Sequence, residues 1–307
     1  MPEVTVAIPV RDRADLLAVT LRSVAEQTRP PAEVIVADDG SADASAEVAE
    51  RAGARVLRGR GWGAAGARNA ALAAARGEFV HFLDSDDLLL PTALERLAAA
   101  LEDEAAAPFA YGRALVAERG RDGWRPDGVI AAGARERADP LALFARNAVP
   151  SAGALVRADA ARAVGGYDAS LPFSEDHDFY VRLTLRGAPV HVPALVAIHR
   201  RHGGNRHATP AALASDLRIS RLAGEDARLR AQLPRRNGVQ LAELALDAAR
   251  TRHPGRLAEH APTLLKTDPI GTLRAAGRHV RGRRRWAEAG EREWERDADL
   301  RAWLARH

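Results

Sequence analysis

"GEFVHFLDSDDLLLP", residues 77–91, decides how the rest of the chain is read. Phe79-Val80-His81-Phe82-Leu83 is short and mostly apolar, the length of a buried strand rather than a helix. It ends in three carboxylates within four residues, Asp84, Asp86 and Asp87. Like charges that close repel, and a single Asp suffices to cap the next helix, which the sequence predicts to begin with Pro91 at its first position. A divalent cation would remove the repulsion. Clustered carboxylate oxygens suit the hard ions Mg²⁺ and Mn²⁺.

Upstream the chain alternates between two periods. Val4-Thr5-Val6-Ala7-Ile8 and Glu33-Val34-Ile35-Val36-Ala37 read as buried strands, and Arg55-Val56-Leu57 as a shorter one. Between them Leu16, Leu17, Leu21 and Val24 recur at helical spacing, as do Ala44 to Ala52 and Gly66 to Arg76. Strand and helix in strict alternation with short loops predict right-handed crossovers and a mostly parallel, Rossmann-like sheet flanked by helices. Ligands of such sheets bind outside the carboxyl ends of the strands. Three of those ends carry chemistry here: Pro9 to Asp12, Asp38 to Ser41, and Asp84 to Asp87. The topology predicts that they meet on one rim.

Further along, strands are expected near Phe109–Val116, Trp124–Ile130, Ala152–Val156 and Val190–Ile198. A turn is expected at Val164-Gly165-Gly166-Tyr167-Asp168, and a helix opening at Ser174-Glu175-Asp176. After Thr209-Pro210 the pattern is helical almost to the end, broken near Pro234, Gly238, Pro254, Pro269 and Gly290. The expected organisation is an α/β domain over residues 1–208 and a helical region over 209–307.

Composition narrows the functions available. Of 307 residues 47% are apolar but only 5% aromatic, so the core is built from Ala, Leu and Val. No cysteine is present, which excludes disulfides, zinc–thiolate sites and thiol nucleophiles. Lys266 is the one lysine among 45 basic residues. Residues 210–307 hold 20 basic and 13 acidic residues, leaving the first 209 slightly acidic. That surplus suits contact with an anionic surface, although the mixture of signs also suits a solvated helical face. No signal peptide or membrane span is legible, so the expectation is a soluble, cytoplasmic protein without nucleic acid as a partner.

Each motif has a functional and a purely structural reading. Asp38-Asp39-Gly40-Ser41 can offer a carboxylate to a nucleobase or ribose, or simply close a tight turn. Gly61, Gly63 and Gly66 have the spacing of a dinucleotide fingerprint, but follow the third strand and not the first. The better reading makes them a flexible loop that turns Arg68 and Asn69 to a nucleotide pocket. Glu175 and Asp176 stand where acidic residues favour a helix start, yet Asp176 is also placed to act as a general base. His202, in a Gly-rich loop after a strand, could bring an imidazole to the same metal.

Taken together, "VTVAIPVRDRADLLAVTLRSVAEQT", "EVIVADDGSADAS", "GAAGARNAALAAARGEFVHFLDSDDLLLP", "VGGYDASL", "SEDHDFYVRLTLRG" and "HRRHGGN" resemble a family 2 glycosyltransferase with the GT-A fold, over roughly residues 4 to 205. The resemblance implies an enzyme that takes a nucleotide-sugar donor, UDP- or dTDP-linked by expectation. It also implies Mn²⁺ or Mg²⁺ and inversion at the anomeric carbon. Carried over, Pro9, Val10, Arg11, Asp12 and Asp38 would line the nucleoside pocket with Arg68. Asp84 and Ser85 would lie near the ribose and metal, with Glu175 also at the donor. Asp86 would be the main metal ligand, Asp176 the catalytic base, and His202 would face metal or diphosphate. Family members often carry Tyr-Asn where this chain has Arg11-Asp12, and an aromatic where it has His199. The acceptor could be a saccharide, lipid, natural product or peptide. Other classes weighed are a nucleotidyltransferase, an inactive nucleotide-sugar-binding protein, and an NAD-dependent enzyme, the last disfavoured by the first loop.

Overall fold

The computed structural model describes residues 1–120, 123–130, 140–202, 219, 222–251, 255–266, 268–278, 280, 292 and 298–307. The first strands and helices alternate as the periodicity predicts: β1 (Val4–Val10), α1 (Ala14–Ala25), β2 (Glu33–Asp38), α2 (Ser45–Arg51), β3 (Arg55–Arg58), α3 (Gly63–Ala74) and β4 (Phe79–Phe82). β1 lies between β2 and β4, parallel to both, and β3 extends the parallel set beyond β2. The register sets Val10 opposite Asp38 and Ala7 opposite Phe82. The loops that follow β1, β2 and β4 therefore leave the sheet side by side.

Helices cover both faces of this sheet, which is why its strands are apolar at nearly every position. On β1, Val4, Val6, Ile8 and Val10 join the core formed with α1 and α4, whereas Ala7 joins the opposite core with α3. α4 (Ala93–Asp103) buries Ala93, Leu94, Leu97, Ala98 and Leu101 completely. Truncating such a leucine to alanine costs ~2–5 kcal/mol. Pro91 does not occupy that helix's first position; it precedes Thr92, which holds the N-cap position, without a side-chain capping bond, of the helix beginning at Ala93.

Beyond β4 the sheet becomes mixed. Its order is β3-β2-β1-β4-β8-β6-β9-β5, with β7 paired to β6. The added strands are β5 (Leu88–Leu89), β6 (Phe109–Gly120), β7 (Gly123–Ile130), β8 (Ala154–Arg157) and β9 (Val190–Arg201), and the added helices are α5 (Pro140–Ala145), α6 (Ala158–Ala163) and α7 (Glu175–Thr184). Two expectations shift here. Ser151–Gly153 is a 3₁₀ turn ahead of β8, so the strand starts at Ala154 and not at Ala152. β9 runs on through His199, Arg200 and Arg201, because β6 continues to pair with it as far as Glu118–Arg201. Those three residues belong to a strand rather than to a loop.

The C-terminal region contributes the helices Leu233–Thr251, Gly255–Leu265 and Ala298–Ala305, a helical run over 269–278, and two single turns at Leu222–Glu225 and Ala227–Arg230. Among the described residues its ties to the sheet layers include the following. The buried Arg236 guanidinium donates to the Phe144 carbonyl at 2.8 Å. Leu300, Trp303 and Leu304 pack with Leu88, Leu90 and Ile198, while the Trp303 indole donates to Glu26 at 2.9 Å. The expected boundary at 208, the cap at Thr209-Pro210, the breaks at Pro254 and Gly290, and Gly203 to Asn205 lie outside the described residues. Among the described residues no helix is long and apolar enough to cross a membrane.

Candidate functional site

The carboxyl ends of β1, β2 and β4 open onto a cavity of about 610 Å³. Pro9, Val10, Arg11, Asp12 and Arg13 form one wall, Asp39 and the start of α3 a second, Asp84, Ser85 and Asp86 a third, and Phe173 to Asp176 the fourth. Backbone strain marks two of these walls. Asp12 (φ +52°) and Ser174 (φ +57°) are the two non-glycine residues with positive φ among the described residues. Such a conformation costs roughly 1–2 kcal/mol and persists where the surroundings enforce it. For Asp12 the enforcement is visible: its carboxylate accepts from the Ala42 amide at 2.7 Å, and its own amide donates to the Ser41 hydroxyl at 3.0 Å. The first and second loops are thereby stitched together.

Arg68 organises the floor. It projects from α3, is almost wholly buried, and donates to Glu175 Oε1 at 2.8 Å and to Asp84 Oδ1 at 2.5 Å. The Tyr167 ring lies 5.2 Å beneath it. Burial is the largest single influence and would raise the Asp84 carboxyl, but the Arg68 charge and hydrogen bond, joined by the charges of His199 and Arg13, together hold it below the usual carboxylate range. Asp176 goes the other way. Burial first, and the neighbouring Glu175 charge second, raise it to about 6, against the opposing pull of Arg68 and of a hydrogen bond from Ser151. Its Oδ2 accepts from Asn147 and from the Ser151 hydroxyl, each at 3.0 Å. A carboxylate titrating near 6 can hold a proton and release it near neutral pH, the property a general base needs.

The three carboxylates after β4 divide their work. Asp84 pairs with Arg68. Asp86 Oδ2 receives Arg13 and lies 3.1 Å from His202 Nε2, so residues from the first and the last strand ends of the site meet on one oxygen. Asp87 turns away into the sheet: its carboxylate accepts from the Arg200 amide at 3.0 Å and faces His199 Nδ1 at 3.1 Å. That pairing raises the His199 imidazole to about 9. Burial lifts the Asp87 carboxyl, and His199 only partly offsets the lift. Arg200, fully buried, donates to the Asp86 carbonyl, to Thr20 Oγ1 at 3.0 Å and to the Leu16 carbonyl at 3.2 Å. It thus fixes the acidic loop to α1. Among the described residues no three His, Asp or Glu side chains form a ready metal cage. Asp86 and His202 supply one oxygen and one nitrogen donor, a set compatible with Mn²⁺ or Mg²⁺ when substrate oxygens and water complete the shell.

Two sequence expectations change. Asp38 does not line the cavity; its Oδ1 accepts from the Ser41 amide and hydroxyl at 2.9 and 2.6 Å, which closes the turn. Its neighbour Asp39 takes the cavity wall and holds the start of α3 through the Trp62 and Gly63 amides at 2.6 and 3.0 Å. The alternation of side chains along an extended segment separates these neighbours. Asn69 does not face the pocket either. Its amide exchanges two 2.8 Å hydrogen bonds with the Tyr167 backbone, and a Cβ on Gly166 would come within 2.4 Å of it. The second glycine of Val164-Gly165-Gly166 is therefore required for this contact. Asp39, Arg13, Asn147, Ser151 and Arg200 were not singled out as site residues by sequence. Arginine and aspartate recur throughout the chain, Asn147 and Ser151 stand in no motif, and only the fold sets these residues apart.

The family model described as "Glycosyl transferase family 2" matches residues 5–164, just over half of the chain. The chain belongs to glycosyl transferase family 2. Over 229 residues it is 31% identical to the uncharacterized protein MT1568 of Mycobacterium tuberculosis, covering 66% of this chain and 67% of that one. Over 108 residues it is 34% identical to the putative glycosyltransferase EpsH of Bacillus subtilis, covering 34% of this chain and about a third of EpsH, 31%. In structure it resembles S. aureus TarS 1–349 in complex with UDP-GlcNAc, with a TM-score of 0.59, 19% identity, and 75% of this chain and 66% of TarS covered. This likeness identifies the fold as that of GT-A glycosyltransferases. The family match includes β1 to β8 and the acidic loop, and stops before Asp176 and β9.

Proposed function

We propose that this family 2 protein transfers a sugar from a nucleoside-diphosphate sugar, UDP- or dTDP-linked, to an acceptor hydroxyl with inversion at the anomeric carbon. The observation that carries the reading is the joint presence, on one cavity, of Asp176 titrating near 6 and of Asp84 and Asp86 across from it. A UDP-linked donor is further supported by the fold shared with TarS, a protein solved with UDP-GlcNAc.

In this reading Pro9, Val10, Arg11, Asp12 and Asp39 hold the nucleoside, with Arg68 beneath it. Asp84, Ser85 and Glu175 position the ribose and sugar. Asp86 and His202 would hold Mn²⁺ or Mg²⁺, which when bound offsets the charge of the diphosphate leaving group. The acceptor oxygen attacks the anomeric carbon, the bond from that carbon to the diphosphate oxygen breaks, and the acceptor proton passes to Asp176. One displacement without a covalent intermediate inverts the carbon. A second cavity of about 250 Å³ adjoins the first and shares Asp84, Ser151, Asp176 and His199 with it. An acceptor entering through it would reach Asp176. This reading places the protein in the cytoplasm, with access to nucleotide-sugar donors.

The test is nucleoside-diphosphate release from a panel of nucleotide sugars with Mn²⁺, using wild-type protein and Asp176→Asn. Release from one donor class, lost in the variant while that donor still binds, supports the reading. Binding of NAD alone, or pyrophosphate release, contradicts it.

A further inference from the structure

Large apolar side chains are rarely left bare on one helix without a use. Among the described residues four large hydrophobics are exposed: Met1, Ile270 (64%), Leu273 (56%) and Val280 (42%). Three of them fall within eleven consecutive residues, on and just beyond the helical run 269–278. The run is well built. Asp268 caps it, accepting the Gly271 amide at 2.9 Å, and Pro269 takes the first position, where no amide is needed.

The orientation of this helix is settled by its other face. Thr272 and Ala275 are buried against the helix Leu233–Thr251, so closely that a Cβ on Gly238 would lie 2.5 Å from the Ala275 methyl. The outward stripe is Ile270, Leu273, Arg274, Gly277 and Arg278, spaced three and four residues apart. Arg274 and Arg278 are exposed beside the apolar pair, and Lys266 is exposed just before the cap. Asp268 is the one acidic residue from 266 to 280.

We propose that this stripe docks the protein on an anionic lipid surface, with Ile270 and Leu273 entering the headgroup boundary and Arg274 and Arg278 meeting lipid phosphates. Bare aliphatic side chains flanked by cations on one helical face are what an interfacial helix presents to such a surface. The surplus of basic residues over 210–307 has the same sign. Two other occupants fit less well. Nucleic acid would use the arginines but leave Ile270 and Leu273 without a partner. A symmetric second copy would bring Arg274 and Arg278 of both chains against each other.

The test is co-sedimentation of the full chain with vesicles of phosphatidylcholine alone or mixed with phosphatidylglycerol. Wild type should bind only the anionic vesicles. Arg274→Gln/Arg278→Gln should weaken binding about 25-fold, roughly fivefold per lost charge, and Ile270→Ser/Leu273→Ser by about tenfold or more. All four side chains are exposed, so both variants should keep the wild-type melting temperature. Equal binding to neutral vesicles, or none to either, overturns the proposal. So does binding that survives Ile270→Ser/Leu273→Ser and is displaced by duplex RNA, which would assign the face to nucleic acid. A wild-type dimer that Leu273→Ser splits would assign it to a second copy.

Discussion

Asp176→Asn should change stability in a direction set by pH while abolishing transfer. Burial and Glu175 raise the Asp176 carboxyl from 3.8 to about 6. A carboxyl raised on folding stabilises the protein fully below its unfolded value, and that contribution is lost as pH rises through its folded value. The shift is about 2 units at ~1.4 kcal/mol each, so ~3 kcal/mol is the upper bound on what ionising Asp176 costs at neutral pH. Water in the cavity screens part of this, leaving ~1–2 kcal/mol. Asn cannot ionise, but it can satisfy only some of the three donors that now reach the carboxylate, the His177 amide, Asn147 and Ser151. The offset between the two proteins at one pH is therefore uninformative, and its change with pH is the prediction. Between pH about 4 and about 8 the melting temperature of the variant should gain on wild type by roughly 2–5 °C. Thermal denaturation across that range, with turnover measured in parallel, tests this. A pH-independent offset would refute the environment assigned to Asp176, and unchanged turnover would refute its role as base.

Other outcomes follow from the same charges. Arg68→Met leaves Glu175 and Asp84 without their shared cation and should destabilise by about 3 kcal/mol. It also removes the pull that lowers Asp176, so the acid limb of any remaining activity should move to higher pH. His199→Phe restores the aromatic common in the family but strands the buried Asp87 carboxylate. Because His199 is raised to about 9 by Asp87, the stability lost in the variant should be largest below about pH 6.5 and shrink as pH rises through 9. Its exposed edge limits the effect to about 1 kcal/mol. Asp39→Ala frees the Trp62 and Gly63 amides, and should cost ~1–3 kcal/mol and weaken nucleotide binding more than acceptor binding. Isothermal titration and denaturation together separate the two effects.

The parallel half of the fold was legible because its strands are buried on both faces, so Val4 to Ile8 and Glu33 to Ala37 read as short, mostly apolar strands with helical spacing between them. The convergence of the first, second and fourth strand ends followed from topology alone. Two kinds of detail did not. Which of two adjacent carboxylates faces the cavity depends on backbone geometry at a strand end, and composition treats Asp38 and Asp39 alike. Whether a polar side chain serves the site or another backbone depends on contacts nearly a hundred residues away, as Asn69 with Tyr167 demonstrates. Arg200 was hidden for a third reason. In a chain with 45 basic residues a single buried guanidinium has no signature, and only the extended β9 carries it under the Asp84–Asp87 loop.

The most direct measurement is binding of UDP and dTDP by titration calorimetry, with and without Mn²⁺, to wild type and to Asp86→Ala. The account predicts that one nucleotide binds wild type in a Mn²⁺-dependent manner and that Asp86→Ala loses the Mn²⁺ dependence. Binding that ignores both metal and Asp86, or no nucleotide binding at all, would contradict the donor site drawn around the Asp84–Asp87 loop.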